Sequence, residues 1–176
     1  MNQQSGHVPM DEPTQHWVEQ VGSRFDAEGL PRTAGRIVAY LLVSSEACSL
    51  DELASVLHVS KASVSTYTRM LERGDRIERV AHAGDRRGFY RIPANLHTRM
   101  LQQWLVGLRG IHQLLVRALG EGVGKEPAVR CRLETLAEFY DHLLDEVEGA
   151  GERWIRDHSR HCAGDGLVAA GTRGEG

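Results

Sequence analysis

The stretch Ser49-Leu-Asp-Glu-Leu-Ala-Ser-Val-Leu-His-Val-Ser-Lys-Ala-Ser-Val-Ser-Thr-Tyr-Thr-Arg-Met-Leu-Glu-Arg-Gly74 encodes two short helices and the turn between them. Ser49 with Glu52 three residues later is a capping box, in which hydroxyl and carboxylate each satisfy a backbone N–H at a helix start. Leu53, Val56 and Leu57 give that helix one apolar face. His58-Val59 leaves room only for a tight turn. Ser60 is a second N-cap, and its helix runs to Arg73, where Gly74 ends it. Two short helices so closely joined predict a helix-turn-helix.

Beyond Gly74 the period changes. Ile77-Glu-Arg-Val80 alternates as a strand does, and Gly84-Asp85 supplies a turn. Gly88-Phe-Tyr-Arg-Ile92 is the returning strand, stopped by Pro93. A hairpin placed directly after the second helix is a wing. The predicted fold is therefore mainly α with a small β-hairpin: a winged helix-turn-helix followed by a C-terminal helical dimerisation region.

Working outward, Thr14 opens a helical pattern through Trp17, Val18, Val21 and Phe25 that Gly29 can close. Pro31 suits the first turn of the next helix, in which Ile37, Val38, Leu41 and Leu42 repeat up to about Ser45. After the wing, Leu96, Met100, Trp104, Leu108, Ile111, Leu115 and Ala118 step by four and three. The glycines of Gly120–Gly124 break that helix and Pro127 starts the last. There Leu133, Leu136, Tyr140, Leu143 and Val147 follow a repeat near 3.5 residues, the period of a helix packed along a partner, so they form the expected dimer seam. The domain reading is a disordered arm over 1–13, the winged helix-turn-helix over 14–93, the helical dimerisation region over 94–158 and a disordered tail over 159–176.

Charge is distributed unevenly. The 176-residue chain carries a formal net −3, which speaks against indiscriminate coating of nucleic acid. Ser60–Pro93, however, holds eight cations against four anions, a local +4 that leaves −7 elsewhere. Duplex DNA demands such local positive charge. At about 100° per residue, Ser60, Val64, Tyr67, Thr68 and Leu71 share one side of the second helix, with Val64 and Leu71 as core anchors. Ala62, Ser65, Thr66, Arg69 and Arg73 face the other way. Small outer residues allow close entry into the major groove, where Ser65, Thr66 and Arg69 can reach base edges or phosphates. Ser60, Lys61 and Ser63 lie at the helix start, where free N–H groups favour phosphate. Arg86 and Arg87 at the wing tip suit minor groove or phosphate, with Asp85 able to orient one of them by a bidentate pair. The plain alternative is a solvated polar face with ordinary caps.

On these residues the chain resembles the MarR superfamily of winged-helix repressors, and within it the GbsR-like branch. Glu28-Gly-Leu-Pro-Arg-Thr-Ala-Gly-Arg36 is similar to that branch's signature before the second helix. Ser49–Ala54 with Ser60–Ser65, and Gly84–Arg87 with Phe89–Arg91, carry the rest, over about Trp17 to Ile92. The resemblance implies a homodimer joined through terminal helices, DNA as partner, and repression relieved by a small-molecule effector whose identity the sequence does not give. One departure is Leu71-Glu-Arg-Gly-Asp-Arg-Ile77. Asp75 stands where the family has an apolar residue after the glycine, which implies a looser junction between helix and wing.

Other chemistries fit less well. His158, His161 and Cys162 match no closed zinc set. Glu138, Asp141, His142 and Asp145 lack a second histidine at zincin spacing and read as a solvated face. No metal or cofactor is expected. Three scattered cysteines make no disulfide framework. Cys48, near Glu46, reads as a buried structural thiol, and Cys131 lies between two arginines. Trp17, Trp104 and Trp154 sit on apolar stripes, where core packing is the default. No nucleophile–base set or phosphate loop suggests an enzyme. With no signal peptide and no membrane-length apolar run, a cytoplasmic protein is expected. The rival reading is a winged-helix module that binds protein instead of DNA.

Overall fold

The computed structural model describes residues 10–81, 85 and 87–158. Helices α1 (Glu12–Ala27), α2 (Arg32–Val43), α3 (Leu50–Val56) and α4 (Lys61–Arg73) precede the wing strands, and α5 (Leu96–Gly120) and α6 (Pro127–His158) follow them. Strands β1 (Cys48–Ser49), β2 (Glu78–Val80) and β3 (Phe89–Arg91) form an antiparallel sheet in the order β1-β3-β2. The chain divides into two units, 1–99 and 100–176.

Capping chemistry sets the helix ends. Asp11 accepts from the Thr14 amide and Pro13 sits in the first turn of α1. Residues 11–13, expected in a leading arm, therefore open the helix instead, because a proline at a helix start costs no hydrogen bond. At Ser49 both halves of the capping box are formed, with Ser49 N–H donating to Glu52 Oε2 at 2.7 Å. Helices α1, α3 and α4 end alike. The residue past each C-cap takes a positive φ, Gly29 at 75°, His58 at 51° and Asp75 at 50°. The next amide reaches back five residues, Leu30 to Phe25, Val59 to Ala54 and Arg76 to Leu71. That is the Schellman closure. The junction after Gly74 is thus tied rather than loose: Asp75 adopts the left-handed conformation that aspartate tolerates better than most residues.

The core of the first unit gathers the inward faces of these elements. Val18, Ile37, Tyr40, Leu53, Leu57, Val64, Leu71 and Ile77 are all sealed from solvent. Burial of each such aliphatic side chain contributes roughly 1.5–3 kcal/mol. Helices α1 and α2 approach closely because two glycines remove side-chain bulk. A Cβ on Gly35 would lie 2.7 Å from Phe25 Cγ, and one on Gly22 would lie 2.6 Å from Arg36 Cγ. Leu42, expected on the apolar stripe of α2, is 49% exposed, because Leu41 and not Leu42 points inward.

Strand β1 extends the expected two-stranded wing to three strands. Cys48 pairs with Tyr90 and Ser49 with Phe89, while Glu78, Arg79 and Val80 pair with Arg91, Tyr90 and Phe89.

In the second unit, Ala137, Leu144 and Gly151 of α6 recur every seven residues and are its buried positions. Gly151 meets Leu101 of α5, Arg109 pairs with Glu148, and His112 Nε2 lies 3.9 Å from Asp141. The tryptophans expected in the core stay largely open in the single chain: Trp17, Trp104 and Trp154 are 36%, 59% and 48% exposed.

Candidate nucleic-acid interface

Helix α4 is two-faced in the way its sequence dictates. Val64, Thr68 and Leu71 are buried against the core. Thr68, a polar residue in that position, satisfies its hydroxyl on the Val64 carbonyl at 2.8 Å. The opposite side presents Lys61, Ala62, Thr66, Arg69 and Arg73 to solvent, with Ser65 half-buried between them. Phasing at helical period thus separates core from surface here.

The polar groups of that surface are engaged with their own helix. Ser60 Oγ accepts from the Ser63 amide at 3.2 Å and lies 2.9 Å from Ser63 Oγ. Ser60 is therefore the N-cap, and the Ser63 hydroxyl is tied to it. Thr66 Oγ1 donates to the Ala62 carbonyl at 3.0 Å. Arg69 donates through Nε to the Ser65 carbonyl at 2.9 Å and through Nη2 to Ser65 Oγ at 3.0 Å. Arg73 Nε reaches the Arg69 carbonyl at 3.3 Å. Side chains of a helix lean toward its N-terminus, so each arginine lies over the turn before its own Cα.

Two cations are committed elsewhere. Lys61 Nζ lies 2.7 Å from Asp51 of α3. Asp51 lies outside Ser60–Pro93, so the charge of that segment alone overstates the positive field at the helix start. Arg91 donates to Glu78, its cross-strand neighbour, at 2.9 Å, and Arg99 donates to the other oxygen of the same carboxylate at 2.9 Å. Neither Asp51 nor Glu78 was singled out from sequence, because each acts through a partner on another element.

At the wing, Arg87 is held by Asp85. Its Nε lies 3.1 and 2.9 Å from the two carboxylate oxygens, its Nη2 lies 2.6 Å from Oδ2, and its amide donates to Oδ1 at 2.9 Å. Its guanidinium carbon stands 5.3 Å from the Phe89 ring centroid, within cation–π range. The bidentate pair expected for one wing arginine therefore forms at Arg87. Arg86 lies outside the described residues.

The remaining candidates separate cleanly. In α6, Leu136 is 43% exposed in the single chain, and Leu133, Tyr140, Leu143 and Val147 are half-buried. Cys48 is buried; burial foremost, then Glu52 and Glu46, push its thiol up against an opposing hydrogen bond to Ser44. Cys131 is exposed. His158 stacks on Trp154 at 3.6 Å between ring centroids, while His161 and Cys162 lie outside the described residues. Among the described residues, no helix is long and apolar enough to cross a membrane.

A family model described as the MarR family matches residues 37–89, from the middle of α2 to the start of β3. The HTH-type transcriptional regulator MmpR5 of Mycobacterium tuberculosis is 32% identical over 137 residues, which cover 76% of this chain and 83% of that protein. The putative HTH-type transcriptional regulator YvaV of Bacillus subtilis is 24% identical over 83 residues, 47% of each chain. A crystal structure of a transcriptional regulator aligns with a TM-score of 0.74 at 30% identity, covering 82% of this chain and 99% of that one.

Proposed function

Because the chain belongs to the MarR family of winged-helix transcriptional regulators, we propose that it binds double-stranded DNA sequence-specifically as a homodimer and represses transcription until a small effector releases it. The observation that carries this reading is the two-faced α4. Its inner face is sealed by Val64, Thr68 and Leu71, and its outer face offers Lys61, Thr66, Arg69 and Arg73 to solvent. A helix so mounted can enter a major groove without disturbing the core behind it. Arg87, already oriented by Asp85, supplies a wing contact beside it, and Arg86 is its sequence neighbour.

Two-fold pairing is supported by the apolar surface of the terminal helices. Trp104 and Leu114 of α5 and Leu136 and Phe139 of α6 are each at least 43% exposed, and soluble chains rarely leave so many large apolar groups open without a partner. A homodimer would bring two copies of α4 to a pseudo-palindromic site. The stretch Glu28–Arg36 supports a place in the GbsR-like branch, and the regulator's work is cytoplasmic.

The test is a fluorescence-anisotropy titration of the full chain against duplexes from upstream of its own gene, at two salt concentrations, with scrambled duplex as control. The expected result is binding that survives the higher salt only on the native duplex. Weak, equally salt-sensitive binding to both duplexes would reduce the outer face of α4 to general electrostatics. No binding to either would favour a protein partner for the winged helix.

A further inference from the structure

The stretch Glu28–Arg36 does something that neither the helix-turn-helix nor the wing explains. Gly29 closes α1 at positive φ, and Pro31 starts α2. Arg32 and Arg36, one turn apart on α2, both reach Glu19 of α1: Arg32 Nη2 at 2.8 Å to Oε2 and Arg36 Nε at 2.7 Å to Oε1. Burial pushes the Glu19 carboxyl up, but the two guanidiniums outweigh it and hold the group below its usual range. Arg36 also crosses to a third element. Its Nη2 donates to the Leu57 carbonyl at 2.8 Å. Leu57 is the C-cap of α3, His58 follows it at positive φ, and Ser60, three residues on, caps α4.

One guanidinium therefore ties α1, α2 and the end of α3 together, immediately before the turn that launches α4. Its side chain is 17% exposed. Its Nε is buried and lies 2.7 Å from Glu19 Oε1. Room for its stem comes from Gly22, where any Cβ would collide with Arg36 Cγ. Placing a cation at the carbonyl end of α3 also agrees with the polarity of helix termini.

We propose that Arg36 is a positioning residue for DNA recognition: by fixing the Leu57 carbonyl against the α1–α2 pair, it sets the direction in which the His58-Val59 turn projects α4. This rests on the DNA-binding reading above. Arg36 itself lies on α2, not on the outer face of α4. Its removal therefore leaves Lys61, Arg69, Arg73 and Arg87 in place, and with them the sequence-independent attraction to phosphate. What it removes is the register of the helix on the bases.

The test compares the full-length parent with Arg36→Met, which keeps the stem and loses the donors, and with Arg36→Lys. A lysine can reach Glu19 or the Leu57 carbonyl but has no planar fork to hold both. Two quantities are read: the ratio of affinities for native and scrambled duplex, and amide hydrogen exchange in the DNA-free protein. Arg36→Met is expected to lower affinity for the native duplex about tenfold or more, and for the scrambled duplex less than about twofold. The amides of His58 and Val59, which donate to Ser55 and Ala54, are expected to exchange about tenfold faster while those at the centre of α1 keep their rates. Arg36→Lys should fall between Arg36→Met and the parent, and it carries the same comparison if Arg36→Met does not fold. Discrimination retained in the variants, or unchanged exchange at His58 and Val59, overturns the proposal. A parent that treats the duplexes alike overturns the DNA-binding reading instead, and the exchange rates alone then decide whether Arg36 positions the turn.

Discussion

Gly35→Ala sets two large effects against each other. Inside a helix, alanine is more favourable than glycine by about 1 kcal/mol, so the substitution in an open helix would stabilise. At Gly35 the new Cβ would stand 2.7 Å from Phe25 Cγ and 2.9 Å from both Phe25 Cβ and Cδ2, against the 3.4 Å at which ordinary contact begins. Rotating the ring cannot clear Cβ, so α1 itself must retreat. Overpacking costs roughly 1–3 kcal/mol, and because Phe25 Cβ is fixed to the backbone of α1 the upper part of that range, about 2–3 kcal/mol, applies here. The net expectation is a loss of about 1–2 kcal/mol, which for a chain of this size is a fall in Tm of roughly 2–8 °C. Urea unfolding followed by circular dichroism should show a lower midpoint with the slope unchanged. Phe25→Ala removes two of the three clashing atoms, so in a double-mutant cycle the pair should couple by about 0.5 kcal/mol or more. A Gly35→Ala chain as stable as its parent, or strict additivity with Phe25→Ala, would refute the close α1–α2 approach on which the placement of Glu19 and Arg36 depends.

Other expectations concern the wing, the terminal helices and the buried thiol. Replacing Arg86 and Arg87 together by alanine should weaken DNA binding on every duplex and lower the salt slope by about one to two, with dimerisation unaffected in light scattering. If the terminal helices pair as proposed, Leu136→Asp should yield monomers, since an unpaired charge is costly in an apolar seam; a dimer of undiminished mass would place the interface elsewhere. Because burial raises the Cys48 thiol, the unfolded chain gives up that proton at lower pH than the folded one. The stability it contributes is whole below the ordinary thiol value of 9.0 and is lost as pH rises through the folded value. Between pH 7 and pH 10 the parent's urea midpoint should therefore fall further than that of Cys48→Ala, and parallel declines would count against the buried thiol.

The helix-turn-helix was legible because its signals are local. Ser49 with Glu52, Ser60 with Ser63, and Gly74 act within one turn of the backbone groups they satisfy, and Val64, Thr68 and Leu71 repeat at the helical period. The Asp85–Arg87 pair, two residues apart, was legible for the same reason. What sequence could not give were properties made by contacts distant along the chain. Strand β1 is two residues long, and its extended pairing exists only because Phe89 and Tyr90 lie alongside. The committed partner of Lys61 belongs to another helix, and the Leu57 carbonyl is twenty-one residues from Arg36. Leu42 was misplaced because adjacent apolar residues on a helix differ by about 100°, and only the packing of α2 decides which of Leu41 and Leu42 turns inward. The tryptophan stripes were read correctly as apolar, but periodicity does not say whether a stripe is covered by its own chain.

Ser49 belongs to two elements at once. Its backbone lies in β1 opposite Phe89, and its hydroxyl accepts from the Glu52 amide at the start of α3. The cap requires the extended backbone, φ −75° and ψ 165°, that strand pairing maintains. Fraying of β3 therefore releases the conformation that keeps α3 closed, and melting of the first turn of α3 frees the edge on which β3 rests. The strands β1 and β3 and the first helix of the helix-turn-helix are therefore expected to open together, with one common free energy in amide hydrogen exchange.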